Sequence, residues 1–198
     1  MGNRDPEPGP APEPDGAPDS TKPRLFGIAG ASGSGKTTLI EKLVRSIIER
    51  GLTVSAVKHA HKGFDIDRPG KDSHRMRQAG CRETLLVGDA RWVLMHELRA
   101  EAQPTLAHLL ARMEPVDLVL IEGFRSSAVP KLEVFRPCLA REPMWPQNPS
   151  IIAVASDEPI DSPLPVLALN DEAGIVQFVL ANATGMPDSA TCADVPET

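Results

Sequence analysis

The sequence predicts an α/β fold: a mixed, mostly parallel sheet covered by helices on both faces. Three observations carry this. Short apolar runs alternate with stretches whose apolar residues recur at helical spacing, the pattern of repeated β-α units. The first apolar run leads through a glycine-rich loop straight into a helix. A later apolar run ends on a lone carboxylate, at the sheet edge where such a loop lies.

The chain has 198 residues. Residues 1–23, "MGNRDPEPGPAPEPDGAPDSTKP", carry too little apolar surface to offset the entropy of ordering, and are expected to be a disordered tail. Residues 184–198 are small, polar and proline-containing, and are expected to behave likewise. Residues 24–183 then form one domain, long enough for a single core. The net charge of −6 argues against a broad nucleic-acid footprint but leaves local anion binding open. Cys81, Cys138 and Cys192 are odd in number and in no CxxC spacing, which suits a reducing cytosol rather than a disulfide framework or a zinc site. No apolar run is long enough to span a bilayer, and the N-terminus has no hydrophobic signal core. The expectation is a cytoplasmic protein engaging neither membrane nor nucleic acid.

The elements follow in order. Residues 25–29 are a short apolar run ending at glycine, a buried strand. Leu39, Ile40, Leu43, Val44, Ile47 and Ile48 fall on one stripe, so residues 36–50 read as a helix stopped by Gly51. Residues 52–58 alternate and are rich in β-branched types, a second strand. Residues 59–72 are polar with a Pro-Gly, hence a loop, and residues 73–79 are a short helix ended by Gly80. Residues 84–87 and 92–95 are strands joined by the tight turn "GDAR". A hairpin cannot be parallel to itself, which is why the sheet is predicted to be mixed. Residues 105–113 read as a helix, 117–121 as a strongly apolar strand, and 132–135 as an edge strand. A proline-rich loop covers 137–149, strands 151–155 and 166–169 follow, and 172–182 is the last helix.

"GASGSGKT", beginning at Gly30, matches G-x-x-x-x-G-K-[ST] between a predicted strand and a predicted helix, the context that motif requires. This makes the fold a P-loop NTPase three-layer arrangement. Glycines let the backbone approach a ligand, and successive N–H groups form a concavity that binds phosphate oxygens. The helix N-terminus adds partial positive charge. The expected cradle is Gly30, Ser32, Gly33, Ser34, Gly35, Lys36, Thr37 and Thr38. Lys36 bridges the β- and γ-phosphates, and the Thr37 hydroxyl ligates Mg²⁺.

Such a site needs a carboxylate near the phosphates, and "VDLVLIEGF" supplies Glu122 at the exit of an apolar strand. Asp117, at the other end of that strand, reads as a boundary residue. The loop "KHAHKGFDIDRPGKDSHR", residues 58–75, crowds Lys, His, Asp and Arg after the second strand. Asp67, with Asp65, is a candidate to reach the magnesium directly or through water. Lys58, Lys62 and Lys71 are candidates to meet a phosphate. His59, His61, Asp65 and Asp67 are alternatively a transition-metal set, though their spacing fits no standard motif, and a solvated loop is the third alternative. "IIAVASDEP" ends a strand at Asp157. Guanine offers two N–H donors on its pairing edge, which an acceptor-only carboxylate matches, so Asp157 is the candidate guanine reader. Asn170 and Asp171 are rivals that equally suit a helix cap.

Taken in order, "GASGSGKTTL", "VKHAHKGFDIDRPGKDSHRMRQAG", "DLVLIEGF" and "IIAVASD" resemble the molybdopterin-guanine dinucleotide biosynthesis adapter proteins over about residues 24–182. The second motif is the specific part, since very many NTPases share the first. The resemblance implies a P-loop fold, a homodimer, and GTP binding with weak GTPase activity. It also implies association with the guanylyltransferase that joins GMP to molybdopterin, with molybdopterin as a further candidate ligand. The family often has Lys after Glu-Gly-Phe, where this chain has Arg125. In the catalytic expectation, Lys36 and Mg²⁺ neutralise phosphate charge while Glu122 or Asp67 orients water. The alternatives are a small-molecule kinase of the same fold and a GTPase metallochaperone using His59 and His61.

Overall fold

The computed structural model describes residues 22–60 and 63–186. Residues 1–21 and 187–198 of the expected tails, together with His61 and Lys62, lie outside the described residues. In chain order the elements are β1 (Arg24–Ala29), α1 (Lys36–Ile48), β2 (Val54–Lys58), α2 (Asp72–Ala79), β3 (Glu83–Val87) and β4 (Trp92–His96). Then come α3 (Leu106–Leu110), β5 (Leu118–Glu122), β6 (Lys131–Phe135), β7 (Ile151–Ser156), β8 (Val166–Ala168) and α4 (Glu172–Asn182).

The main sheet has six strands in the order β2-β5-β1-β6-β7-β8, and each named pair is parallel. The hairpin β3–β4 forms a separate two-stranded antiparallel sheet, which corrects the expectation that it would mix the strand directions of the main one. Its Leu85, Val87, Trp92 and Leu94 are exposed, and they pair across the strands as Leu85 with Leu94 and Val87 with Trp92. The second correction concerns β6, which lies between β1 and β7 rather than at an edge. Its charged residues suggest solvent, yet Lys131 and Glu133 are each only 1% exposed.

Strand alternation divides the core. One face sends Phe26, Ile28, Leu118, Leu120, Leu132 and Val134 against Leu39, Leu43 and Ile47 of α1 and Ile175, Val176 and Val179 of α4. The other face sends Leu25, Val119 and Ile121 against Leu106 of α3, Phe124 and Val129. Asp117 ties the starts of two strands together, its Oδ2 accepting from the Thr53 amide and hydroxyl, each at 2.7 Å. Thr184 exchanges backbone hydrogen bonds with Leu25, and Met186 packs on the second face, so packing continues past residue 183.

Lys131, Glu133 and Phe135 alternate along β6 with Leu132 and Val134, and Glu133 and Phe135 meet the proline-rich loop. The Glu133 carboxylate accepts from the Met144 amide at 3.0 Å and the Trp145 amide at 2.9 Å, and Phe135 meets the Trp145 ring edge-on at 5.2 Å. Lys131 donates to the Val129 carbonyl at 3.0 Å and the Ser127 hydroxyl at 3.2 Å. Gly27 of β1, paired in register with Lys131, makes room for it: a Cβ there would stand 2.6 Å from Lys131 Cγ. Burial holds the Glu133 carboxyl above the usual range despite its amide donors. Glu133→Ala would strand the Met144 and Trp145 amides, so we expect a stability loss of about 1–3 kcal/mol, read as a lower urea midpoint. An unchanged midpoint would show that Glu133 does not secure this loop.

Candidate functional site

Because the main sheet is parallel throughout, the residues that follow each strand gather at one edge. β1 leads into the glycine loop, β2 ends at Lys58, β5 ends at Glu122, Arg136 follows β6, Asp157 follows β7, and Asn170 lies two residues beyond β8. Ile28, Glu122 and Lys58 are level across β1, β5 and β2.

The glycine loop needs its glycines. Gly30 has φ +135°, and a Cβ there would lie 2.4 Å from the Val134 carbonyl oxygen of β6. Gly33 and Gly35 also have positive φ, at 81° and 99°. The Ala31 carbonyl accepts from Lys36 Nζ at 2.8 Å and from the Ser34 amide at 3.2 Å. The Ser34 side chain is buried, its Oγ lying 2.9 Å from the position a Cβ on Gly30 would take. Ser32, Gly33, Thr37 and Thr38 are exposed.

Two cavities border this loop. One, of about 280 Å³, has Gly30, Ser32, Lys36, Lys58, Glu122 and Arg125 in its wall, with Lys131 and Met144. Cations outnumber acids there: Lys58 Nζ lies 3.3 Å from Glu122 Oε2, and the Glu122 side chain is 13% exposed. Burial is the main cause that lowers the Lys36 pKa; nearby Glu122 opposes the shift, while Lys58 and Arg125 add to it. The other cavity, of about 260 Å³, is lined by Gly35, Thr38, Leu39, Lys42, Arg136, Asp157, Leu169 and Asn170. Arg136 Nε is 3.5 Å from Asp157 Oδ2, an ion pair by distance without hydrogen-bond alignment.

The structure thus brings Lys36, Glu122 and the glycine loop together, with Asp157 at the loop's other flank. Asp171 takes the alternative role as the N-cap of α4, accepting from the Gly174 amide at 3.0 Å, while Asn170 faces the Asp157 cavity. Asp67 is outside both cavity walls. Its two oxygens accept from Arg77 of α2, Oδ2 from Nε at 3.0 Å and Oδ1 from a terminal nitrogen at 2.7 Å. The same guanidinium reaches Asp65 at 3.3 Å and Glu97 at 2.8 Å. Among the described residues no three His, Cys, Asp or Glu side chains cluster as a metal site. Lys131 and Arg136 escaped the sequence reading. The signal for Lys131 was there, as "KLEVF" alternates charge with apolar residues beside a proline; nothing local marked Arg136.

The family model described as "Molybdopterin guanine dinucleotide synthesis protein B" matches residues 25–157. The chain is 38% identical over 159 residues to the molybdopterin-guanine dinucleotide biosynthesis adapter protein of Escherichia coli K12, covering 79% of this chain and 91% of that one. It is 37% identical over 158 residues to the adapter protein of Haemophilus influenzae, covering 78% and 86%. The crystal structure of Bacillus subtilis MobB superposes with a TM-score of 0.64 at 25% identity, covering 82% of this chain and 99% of that one.

The side-chain hydrogen bond from Arg77 is the main cause that holds the Asp67 carboxyl below its ordinary value. A lowered folded pKa contributes stability that is fully present above the unfolded value, about 3.9, and is lost as pH falls through the lower folded value. Asp67→Asn should therefore be less stable than the parent at neutral pH, with the gap closing in acid. Urea midpoints measured down the acid limb check this, and parallel limbs would contradict it.

Proposed function

Because the chain belongs to the family of molybdopterin guanine dinucleotide synthesis protein B, we propose that it is a GTP-binding adapter with slow GTPase activity. It would act beside the guanylyltransferase that joins GMP to molybdopterin. The observation that carries this reading is that one glycine loop borders a cation-rich cavity on one flank and an Asp157 cavity on the other. A nucleoside triphosphate has that polarity, with anionic charge at one end and a base at the other.

In this reading the phosphates lie on the loop amides at the N-terminus of α1, where backbone N–H groups and the helix dipole favour anions. Lys36 exchanges the Ala31 carbonyl for β- and γ-phosphate oxygens. Lys58 leaves Glu122 for the terminal phosphate, a stronger anionic partner. Mg²⁺ would be held by the Thr37 hydroxyl and Glu122, hard oxygen donors of the kind it takes, and supplies Lewis-acid neutralisation of phosphate charge. Glu122 also orients the attacking water. Asp67, with both oxygens on Arg77, has no part in the scheme. With Glu122 as the sole carboxylate among the described residues of the phosphate-side wall, slow turnover and presentation of nucleotide suit the site better than rapid hydrolysis.

Asp157 accepts from guanine N1–H and the exocyclic amine, an edge where adenine presents a ring acceptor. The homodimer finds support in the exposed apolar face of the hairpin, Leu85, Val87, Trp92 and Leu94, since contiguous exposed apolar surface marks protein contacts. The cysteine usage supports a cytoplasmic site of action.

Calorimetry tests the assignment. Lys36→Ala removes a charge-assisted contact worth about 1.5–3 kcal/mol, so Mg²⁺·GTP affinity should fall by about tenfold or more; normal affinity would remove the loop from the site. Asp157→Asn replaces one acceptor oxygen with a donor. The ratio of GTP to ATP affinity should drop by about tenfold, and an unchanged ratio would take base reading away from Asp157.

A further inference from the structure

A cavity of about 690 Å³ adjoins the phosphate-side cavity, and Lys58, His59 and Ala60 line both. Its volume is in the range of small-molecule sites, roughly 300–1,000 Å³. Its inner wall is apolar, made by Val57 of β2, Leu109 of α3 and Phe124. The His59 ring leans on Phe124 with centroids 5.0 Å apart, and its Nε2 is 2.7 Å from the Gln103 amide nitrogen. These contacts make the imidazole a braced partition between the two cavities.

The rim carries the opposite chemistry. Lys58, Arg82 and Arg112 stand on it with His96 and His108, and Glu101 is the only carboxylate among the described lining residues. Glu101 is already engaged by Arg82 and, at 3.6 Å, by His96. Arg112 lies 3.9 Å from Glu83 and its side chain is 51% exposed, while His96 holds the same Glu83 carboxylate more closely, at 2.8 Å. His108 of α3 lines the same cavity, and Arg112 follows two residues past the end of that helix. A chain of net charge −6 has gathered a cationic rim around an apolar floor. That combination fits a flat ring that leaves water and an anionic group that meets guanidinium.

We propose that this cavity binds a planar heterocycle bearing a carboxylate or phosphate, the ring against Phe124 and Leu109 and the anion at Arg112 and His108. The ligand's position beside a terminal phosphate, and the choice of a pterin as probe, rest on the function proposed above; the cavity's chemistry does not.

The experiment uses the full chain and the fluorescent probe pterin-6-carboxylate, followed by anisotropy. Saturable binding of one probe per chain is expected, with unsubstituted pterin at least about tenfold weaker because it lacks the anion. Arg112→Glu, at an exposed position that leaves the core intact, should weaken the probe by about tenfold or more. Lys36→Ala should bind it as the parent does. Failure to saturate, or equal affinity in Arg112→Glu, would overturn the proposal. So would loss in Lys36→Ala with normal binding in Arg112→Glu, which would put the probe on the glycine loop. A parent protein that ignores GTP in calorimetry yet binds the probe with this variant pattern would sink the nucleotide reading and leave the cavity assignment standing.

Discussion

The approach of Gly30 to the Val134 carbonyl is the constraint from which both loop cavities follow. A side chain at Gly30 would meet that oxygen at 2.4 Å, so only glycine lets the chain turn off β1 directly across β6. The turn puts the loop over the seam between two parallel strands and starts α1 on the face that its Leu39, Leu43 and Ile47 must cover. The loop then has β2 and β5 on one flank and β7 and β8 on the other. The residues after those strands become the two cavity walls. Moving the loop outward by the width of a methyl group would separate Lys36 from Glu122 and Gly35 from Asp157, without altering any motif in the sequence.

Those walls are held by buried polar groups as much as by packing. Burying a charge costs several kcal/mol unless its hydrogen bonds are complete, typically about 3–5 kcal/mol when one partner is removed. Lys131 meets this demand with oxygens of residues 127–129, and Glu133 meets it with the amides of Met144 and Trp145. Lys131 and Met144 themselves line the cavity that holds Lys36 and Glu122. The two buried charges therefore fix loops that apolar contact alone would leave free to slide. Specific hydrogen-bond geometry positions a cavity wall in a way that non-directional burial does not.

This also explains what was legible in the sequence. The glycine loop, Glu122 and Asp157 were readable because each sits at a strand end, and parallel strands deliver all their ends to one edge. Local pattern was enough for these residues. β6 was misread because charge in a strand suggests solvent, and the partners that remove the charge lie in loops whose paths no periodicity encodes. Asp67 depended on Arg77, ten residues on and one element away, and an aspartate in a charged loop looks the same whether or not a guanidinium claims it. The hairpin's separation from the main sheet is a matter of tertiary contact. Its strands are predicted by their own alternation, which says nothing of what lies alongside.

Lys58 is paired with Glu122, and it lines both the cavity beside the glycine loop and the larger one next to it. One ammonium cannot serve a carboxylate and anions in two cavities equally, so the ligands proposed for these places would be linked, and such linkage is reciprocal in free energy. The sign depends on what takes Glu122. A cation settling on that carboxylate releases Lys58 and raises the positive potential over both cavities, favouring anions in each. A phosphate that captures Lys58 lowers the potential at the neighbouring rim and disfavours an anion there. On the proposed function, a site with these opposed couplings would discriminate between a nucleotide with its metal and one without, and would transmit the difference across the His59 partition without any movement of the sheet.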